Sequence, residues 1–364
     1  LASGGFVLVF ASGIEEQDHP ENWPYRDQAG YYHTNFTLSG EGEYLALVSP
    51  DLEVVHEYGS RADGSGFPPQ RVDLSYGLYG GQEQYFSTPT PNRVNGIGHT
   101  EVSGEPTFSH EGGTFTGVFF FLELSTSNPE ATIYYTVDGL TPTAASLRYT
   151  APFMVVGTME ILARVYEPNK APGAVVSRTY VALANDVATF NSDLPIVIVD
   201  TDGQGIGSTL RKVLSTVIDV GEDERAHITD AADFSGRGGI KIRGSSTAGG
   251  PKPSYNFEVW DENNWDRDVS LLGLPAESDW ILYGPYSFDR AQINNALAYE
   301  LSNQVGRYAV RTRFVEMYLN KNDSTVSASD YVGLYILMEK VKRGKDRVDV
   351  EKLEPWDSTE PKIR

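Results

Sequence analysis

Residues 254–259 alternate strictly: Tyr255, Phe257 and Val259 are apolar, while Ser254, Asn256 and Glu258 are polar. A period of two predicts a β-strand with one buried face. Lys241-Ile242, upstream of the loop RGSSTAGGPKP, predicts its antiparallel hairpin partner. Short apolar runs of the same kind recur along the chain. "RFVEMYLN" at 313–320 and "YVGLYILMEKVKR" at 331–343 read as two more strands, and Ile196 to Val199 as a buried one. Residues 289–306 follow a different period. Ile293, Leu297, Leu301 and Val305 recur at helical spacing, Asp289 and Gln292 form a capping-box pattern, and Gly306 is placed to close the helix. The stripe predicts the buried face of that helix, with Glu300 beside it.

These patterns divide the chain into segments. Residues 1–77 carry the strand-like runs GFVLVFAS, HTNFTLSG and GEYLALVSPDLEVVHEY, punctuated by Gly, Pro and Asp as in a small β-sandwich. Residues 78–100 are rich in Gly, Pro and Asn and read as a linker. A second β module spans 101–183, with strands around an Asp138-Gly139 turn. Residues 191–364 mix strands with the one helix. The fold class read from sequence is therefore multidomain: two all-β immunoglobulin- or fibronectin-like sandwiches followed by an α+β segment.

Composition narrows the function classes. The 364 residues carry a net charge of −21 and no cysteine. Such acidity excludes general electrostatic binding of nucleic acid, and the missing cysteines exclude disulfides and thiolate metal sites. It suits an extracellular or cell-surface setting. No apolar run approaches the length of a membrane span. The opening LASGGFVLVF has neither an initiator Met nor the basic start of a signal peptide, so an excerpt of a longer chain is expected. Sequons stand at Asn35 and Asn322.

The candidate chemistry centres on residues 243–252. Small residues let backbone N–H groups approach anionic oxygens, and a lysine supplies a point charge to phosphates. Arg243, Ser245, Ser246 and Lys252 are the candidate phosphate contacts, against the alternative of an ordinary surface turn. Glu300 is placed to reach Lys252 as an ion-pair partner, against the alternative of an exposed helix glutamate. Met338 and Glu339, at the end of a strand, fall where an adenine-contacting hinge belongs. Asp200 and Asp202 offer oxygen ligands for Ca²⁺ in a D-x-D-G loop, but a plain turn accounts for them more simply, as for the acidic run DENNWDRD at 261–268. His33 and His56 read as packed or surface residues rather than metal ligands. Tyr134, Tyr135 and Tyr149 are either core packing or a glycan platform.

Three resemblances add to this reading. "YYHTNFTLSGEGEYLALVSPDLEVVHEY" resembles the lamin tail domain, truncated at its first strands. "YYTVDG", "TPT", Tyr149, "AP" and "ILARVY" resemble the fibronectin-III-like C-terminal domain of chitobiases and hexosaminidases. "RGSS…PKPSYNFE", "LLGLPAESDWILYGPY", "NNALAYELSNQVGRYAVRTRFVEMYLN" and "YVGLYILMEKVKRGKDRVDV" look like the CotH kinase family, over about residues 191–353. That last resemblance implies a bacterial, secreted or spore-surface protein kinase that uses ATP with Mg²⁺ or Mn²⁺ to phosphorylate Ser or Thr on a protein substrate, its N-lobe lying in 191–364. It also implies that the acidic metal-holding residues belong to a later half beyond Arg364, so residues 1–364 alone are not expected to transfer phosphate. Lys252-Pro253 and Ile293-Asn294 depart from the family pattern. The rival reading is a non-catalytic surface, adhesion or assembly protein whose β modules bind glycan or neighbouring subunits.

Overall fold

A computed structural model describes residues 4–14, 22, 24–245, 248–287, 289–322 and 324–350. Among the described residues the regular secondary structure is mostly strand, with a single α-helix, and none of the described helical structure is long and apolar enough to cross a membrane. The chain divides into two compact units, chiefly Leu1–Gly104 with Tyr166–Ala174, and Glu105–Val165 with Val175–Lys352.

In the first unit the described strands pair only two at a time. Val9–Phe10 runs parallel to Tyr32–His33, and Leu45–Val48 and Val54–Tyr58 form a hairpin. A second hairpin, Ser75–Tyr79 with Gln82–Phe86, turns at Gly80-Gly81 and occupies the start of the expected linker. Gly80 and Gly81 supply the positive φ that a tight turn needs. His33 stacks on Phe10 and bonds Ser12, and His56 packs edge-on against Tyr58, as side-chain packing rather than a ligand cluster.

The second unit begins with a five-stranded sheet ordered Leu147–Arg148, Thr132–Thr136, Met159–Tyr166, Val175–Leu183, Gly113–Thr116. Two short ladders share one core with it, built on Leu122, Val155, Ile161 and Tyr180. Tyr135 stacks on Phe153 at 4.5 Å, and Tyr149 meets the same ring edge-on.

Seven strands then close into a barrel. They are β1 (Ile196–Asp200), β2 (Arg211–Ile218), β3 (Phe234–Arg243), β4 (Ser254–Val259), β5 (Asp279–Tyr283), β6 (Thr312–Asn320) and β7 (Tyr331–Glu339). The order is β1-β2-β3-β4-β5-β7-β6, and β6 pairs parallel to β1 to complete the circle. The hairpin read from sequence is β3–β4, with Ile242 opposite Tyr255. Tyr255, Phe257 and Val259 point inward with Val197, Val213, Met317 and Leu337, so side chains fill the interior as in other small barrels.

The helix α1 (Asn294–Gln304) packs outside the barrel, where Ala296 and Tyr299 meet Ile281, Ile336 and Met338. This corrects the expected burial. Ile293, Leu297, Leu301 and Val305 are 43, 49, 53 and 75% exposed, because the helix docks through the face carrying Ala296 and Tyr299 instead. Asp289 still serves the helix start, accepting the Asn294 N–H at 3.0 Å, but Gln292 takes φ +58 and forms no capping box. Gly306, at φ +76, closes the helix as expected.

The five-stranded sheet is fastened to the barrel. Val181 and Leu183 share a core with Ile196, Ile198, Ile218 and Tyr318. Within the seam Arg237, buried on β3, grips buried Glu160 through two bonds of 2.8 and 2.6 Å. The same guanidinium donates to the carbonyls of Glu262 and Gly139 and to Asn264 Oδ1. That geometry ties the sheet to the barrel.

Candidate functional site

At one end of the barrel, the chain leaving β3 and returning to β4 borders a cleft of about 570 Å³. Its wall includes Ala248, Gly249, Gly250, Lys252, Tyr255, Tyr286, Lys321 and Tyr335. Tyr255 and Tyr335 are buried in the barrel and lie nearly parallel, 6.2 Å apart. The ammonium of Lys252 sits 4.9 Å from the centre of the Tyr335 ring and donates to the Leu334 carbonyl at 2.5 Å. Tyr335 in turn donates to the Pro253 carbonyl, so the aromatic floor and the lysine hold one another. Pro253 interrupts the alternation, and Lys252 lies before the first residue of β4.

The electrostatics of this cleft oppose those of the chain. Lys252 and Lys321 are its charged lining residues, with no carboxylate among the described ones, in a protein of net charge −21. Burial pushes the Lys252 ammonium below its ordinary pKa, while the more distant Glu316 pulls the other way. Among the described residues no carboxylate forms an ion pair with Lys252, whose ammonium is held by a carbonyl and a ring face. Open space lies over Gly249, where an added Cβ would meet nothing within 4 Å.

The other sequence candidates are placed elsewhere. Glu300 is exposed and accepts a bond from Gln304 Nε2 at 2.8 Å, one turn along the same helix, so the Lys252–Glu300 pair is not formed in this structure. Glu339 is fully buried: its carboxylate takes bonds from Arg311 and an ion pair from Arg347 at 2.7 Å. Met338 packs in the core beneath α1. Neither lines the cleft. Arg243 is exposed and donates to Asn256 Oδ1, and Ser245 is exposed nearby; neither borders the cleft. Ser246 lies outside the described residues. Asp200 accepts the Asp202 N–H and an Asn320 amide N–H, the geometry of a turn. Asp261 likewise accepts the N–H groups of Asn263 and Trp265. Among the described residues no three His, Cys, Asp or Glu side chains cluster as a metal site.

Sequence reasoning did not find Lys321, Tyr335 or Tyr286. The only available signal was a lysine directly after the β6 run, and it gains meaning once β6 closes against β1.

Residues 122–180 match the family described as Fn3 associated, which covers much of the five-stranded sheet. No curated protein and no solved structure matches the chain. Residues 240–355, which hold the Lys252 cleft and α1, match the family described as CotH kinase protein.

Proposed function

We propose that the Lys252 cleft grips the phosphates of a nucleotide, and that this chain supplies the nucleotide-binding lobe of a secreted or surface-located, CotH-type protein Ser/Thr kinase. One observation carries the reading: two lysines and a glycine stretch border a single cleft without a described carboxylate, in a strongly acidic chain and inside the segment similar to CotH kinases. An ammonium neutralises phosphate oxygens as a point charge, and glycines admit those oxygens close to the backbone. Tyr286, exposed at the rim, offers a ring face to a base. The donor set suits ATP phosphates. It does not suit Mg²⁺ or Mn²⁺, which prefer carboxylate oxygens, so no residue of the cleft is assigned to a metal.

Calorimetric titration with ATP tests the reading. Lys252→Ala should weaken binding by about 1.5–3 kcal/mol, the scale of a charge-assisted hydrogen bond. The lysine contribution is present below its lowered pKa and lost as pH rises through it, whereas Lys252→Arg keeps its charge and should flatten that profile. Unchanged ATP affinity in a folded Lys252→Ala variant would favour the non-catalytic surface or assembly role instead.

A further inference from the structure

Lys252 stands between Pro251 and Pro253. Each proline fixes its own φ, and Pro253 also restricts Lys252 to extended backbone. The path of the chain into β4 is therefore preset. A lysine side chain still keeps a flexible four-carbon stem, and the surroundings decide where that stem points.

Tyr335, 1% exposed on β7, donates its hydroxyl to the Pro253 carbonyl at 3.0 Å. Its ring centre lies 4.9 Å from the Lys252 ammonium, which donates to the carbonyl of Leu334. An ammonium is attracted by the face of such a ring. One side chain thus holds both the backbone beside the lysine and the tip of its stem. Burial and the neighbouring Tyr255 push the Tyr335 phenol well above the ordinary tyrosine range, so the hydroxyl keeps the proton it donates.

Two glycines make room for this arrangement. A Cβ at Gly284, just after β5, would come within 3.1 Å of the Lys252 and Pro253 carbonyl oxygens and of the Tyr335 ring. The Gly284 N–H donates to Ser254 Oγ, which fixes the same stretch from the other side. A Cβ at Gly333, on β7, would have the Lys252 ammonium as its nearest neighbour, at 3.7 Å. We propose that Tyr335 is a positioning residue for Lys252: its hydroxyl fixes the backbone through Pro253, and its ring face holds the ammonium at the cleft before an anion arrives. A lysine already ordered loses less freedom on meeting a phosphate, and the saving appears as affinity. The affinity rests on the nucleotide reading; the placement of the lysine does not.

Two measurements on the full chain keep these apart. An aromatic ring current shifts nuclei held over its face. In a nuclear magnetic resonance spectrum of isotope-labelled lysines, the Lys252 ε-methylene signal, assigned by its loss in Lys252→Arg, should therefore lie upfield of the other lysines. Tyr335→Phe should move it part of the way to their common position, and Tyr335→Leu all the way. A signal in the same place in wild type and Tyr335→Leu would overturn the proposal. Calorimetric ATP titration then forms a double-mutant cycle. Tyr335→Phe should weaken binding about threefold to tenfold when Lys252 is present, and leave it unchanged in a Lys252→Ala background. An equal loss in both backgrounds would show the hydroxyl acting on the fold rather than through the lysine, and would also overturn the proposal. ATP affinity indifferent to Lys252→Ala would end the nucleotide reading alone, and the resonance still decides whether Tyr335 places the lysine.

Discussion

The barrel has two flanks that bury the same kind of strand and are finished differently. On the flank of β1 and β2, the five-stranded sheet adds Val181 and Leu183 to a closed core, and the Arg237–Glu160 pair spans the seam. On the flank of β5 and β7, α1 touches the barrel through Ala296 and Tyr299 and presents Leu297 and Leu301 to solvent. The first flank is an interior, and its side chains carry stability. The second is a helix laid on a surface, and its apolar stripe contributes little to holding this fold. The sheet that holds the segment similar to Fn3-associated proteins thus packs directly on the barrel.

The sharpest way to break this comparison is to remove one partner of the seam pair. Glu160→Ala leaves Arg237 buried with its charge unmet, and should cost about 3–5 kcal/mol by chemical denaturation. A loss no greater than that of an exposed residue would mean that the sheet is only resting on the barrel. Truncating the shared core comes next. Leu183→Ala should cost about 2–5 kcal/mol, with the upper end requiring a cavity that does not collapse.

On the other flank the order inverts along the helix. Ala296→Leu adds bulk to the one buried helix position and should destabilise by about 1–3 kcal/mol. Leu301→Ala removes a larger side chain but should change stability by no more than about 0.5 kcal/mol, because its surroundings are solvent. Equal costs at the two positions, measured in the same denaturant series, would show that the helix is docked through both faces.

The same contrast explains what the sequence made legible. The β3–β4 hairpin could be read because its alternation directly records which side faces a packed interior. The helix could be located for a similar reason, from its period and from Gly306. Its buried face could not, since an apolar stripe says that a face is available and not what meets it; a small alanine meets the sheet here. Glu160 and Arg237 are 77 residues apart and of types that normally lie exposed, so nothing local announces their pairing. Glu339 ends an apolar strand and looked free for a ligand, until Arg311 and Arg347, brought in from either side in sequence, enclose it. Lys252 was singled out from its loop, while the placement of Lys321 in the same cleft depended on closure of the barrel.

The measurement that bears most directly on the functional account is a structure of the protein with a non-hydrolysable ATP analogue. The account predicts phosphate oxygens within hydrogen-bonding distance of Lys252 Nζ, with that nitrogen drawn from the Leu334 carbonyl and Lys321 turned toward the same anion. An analogue bound away from Lys252, with the lysine still on Leu334, would contradict it.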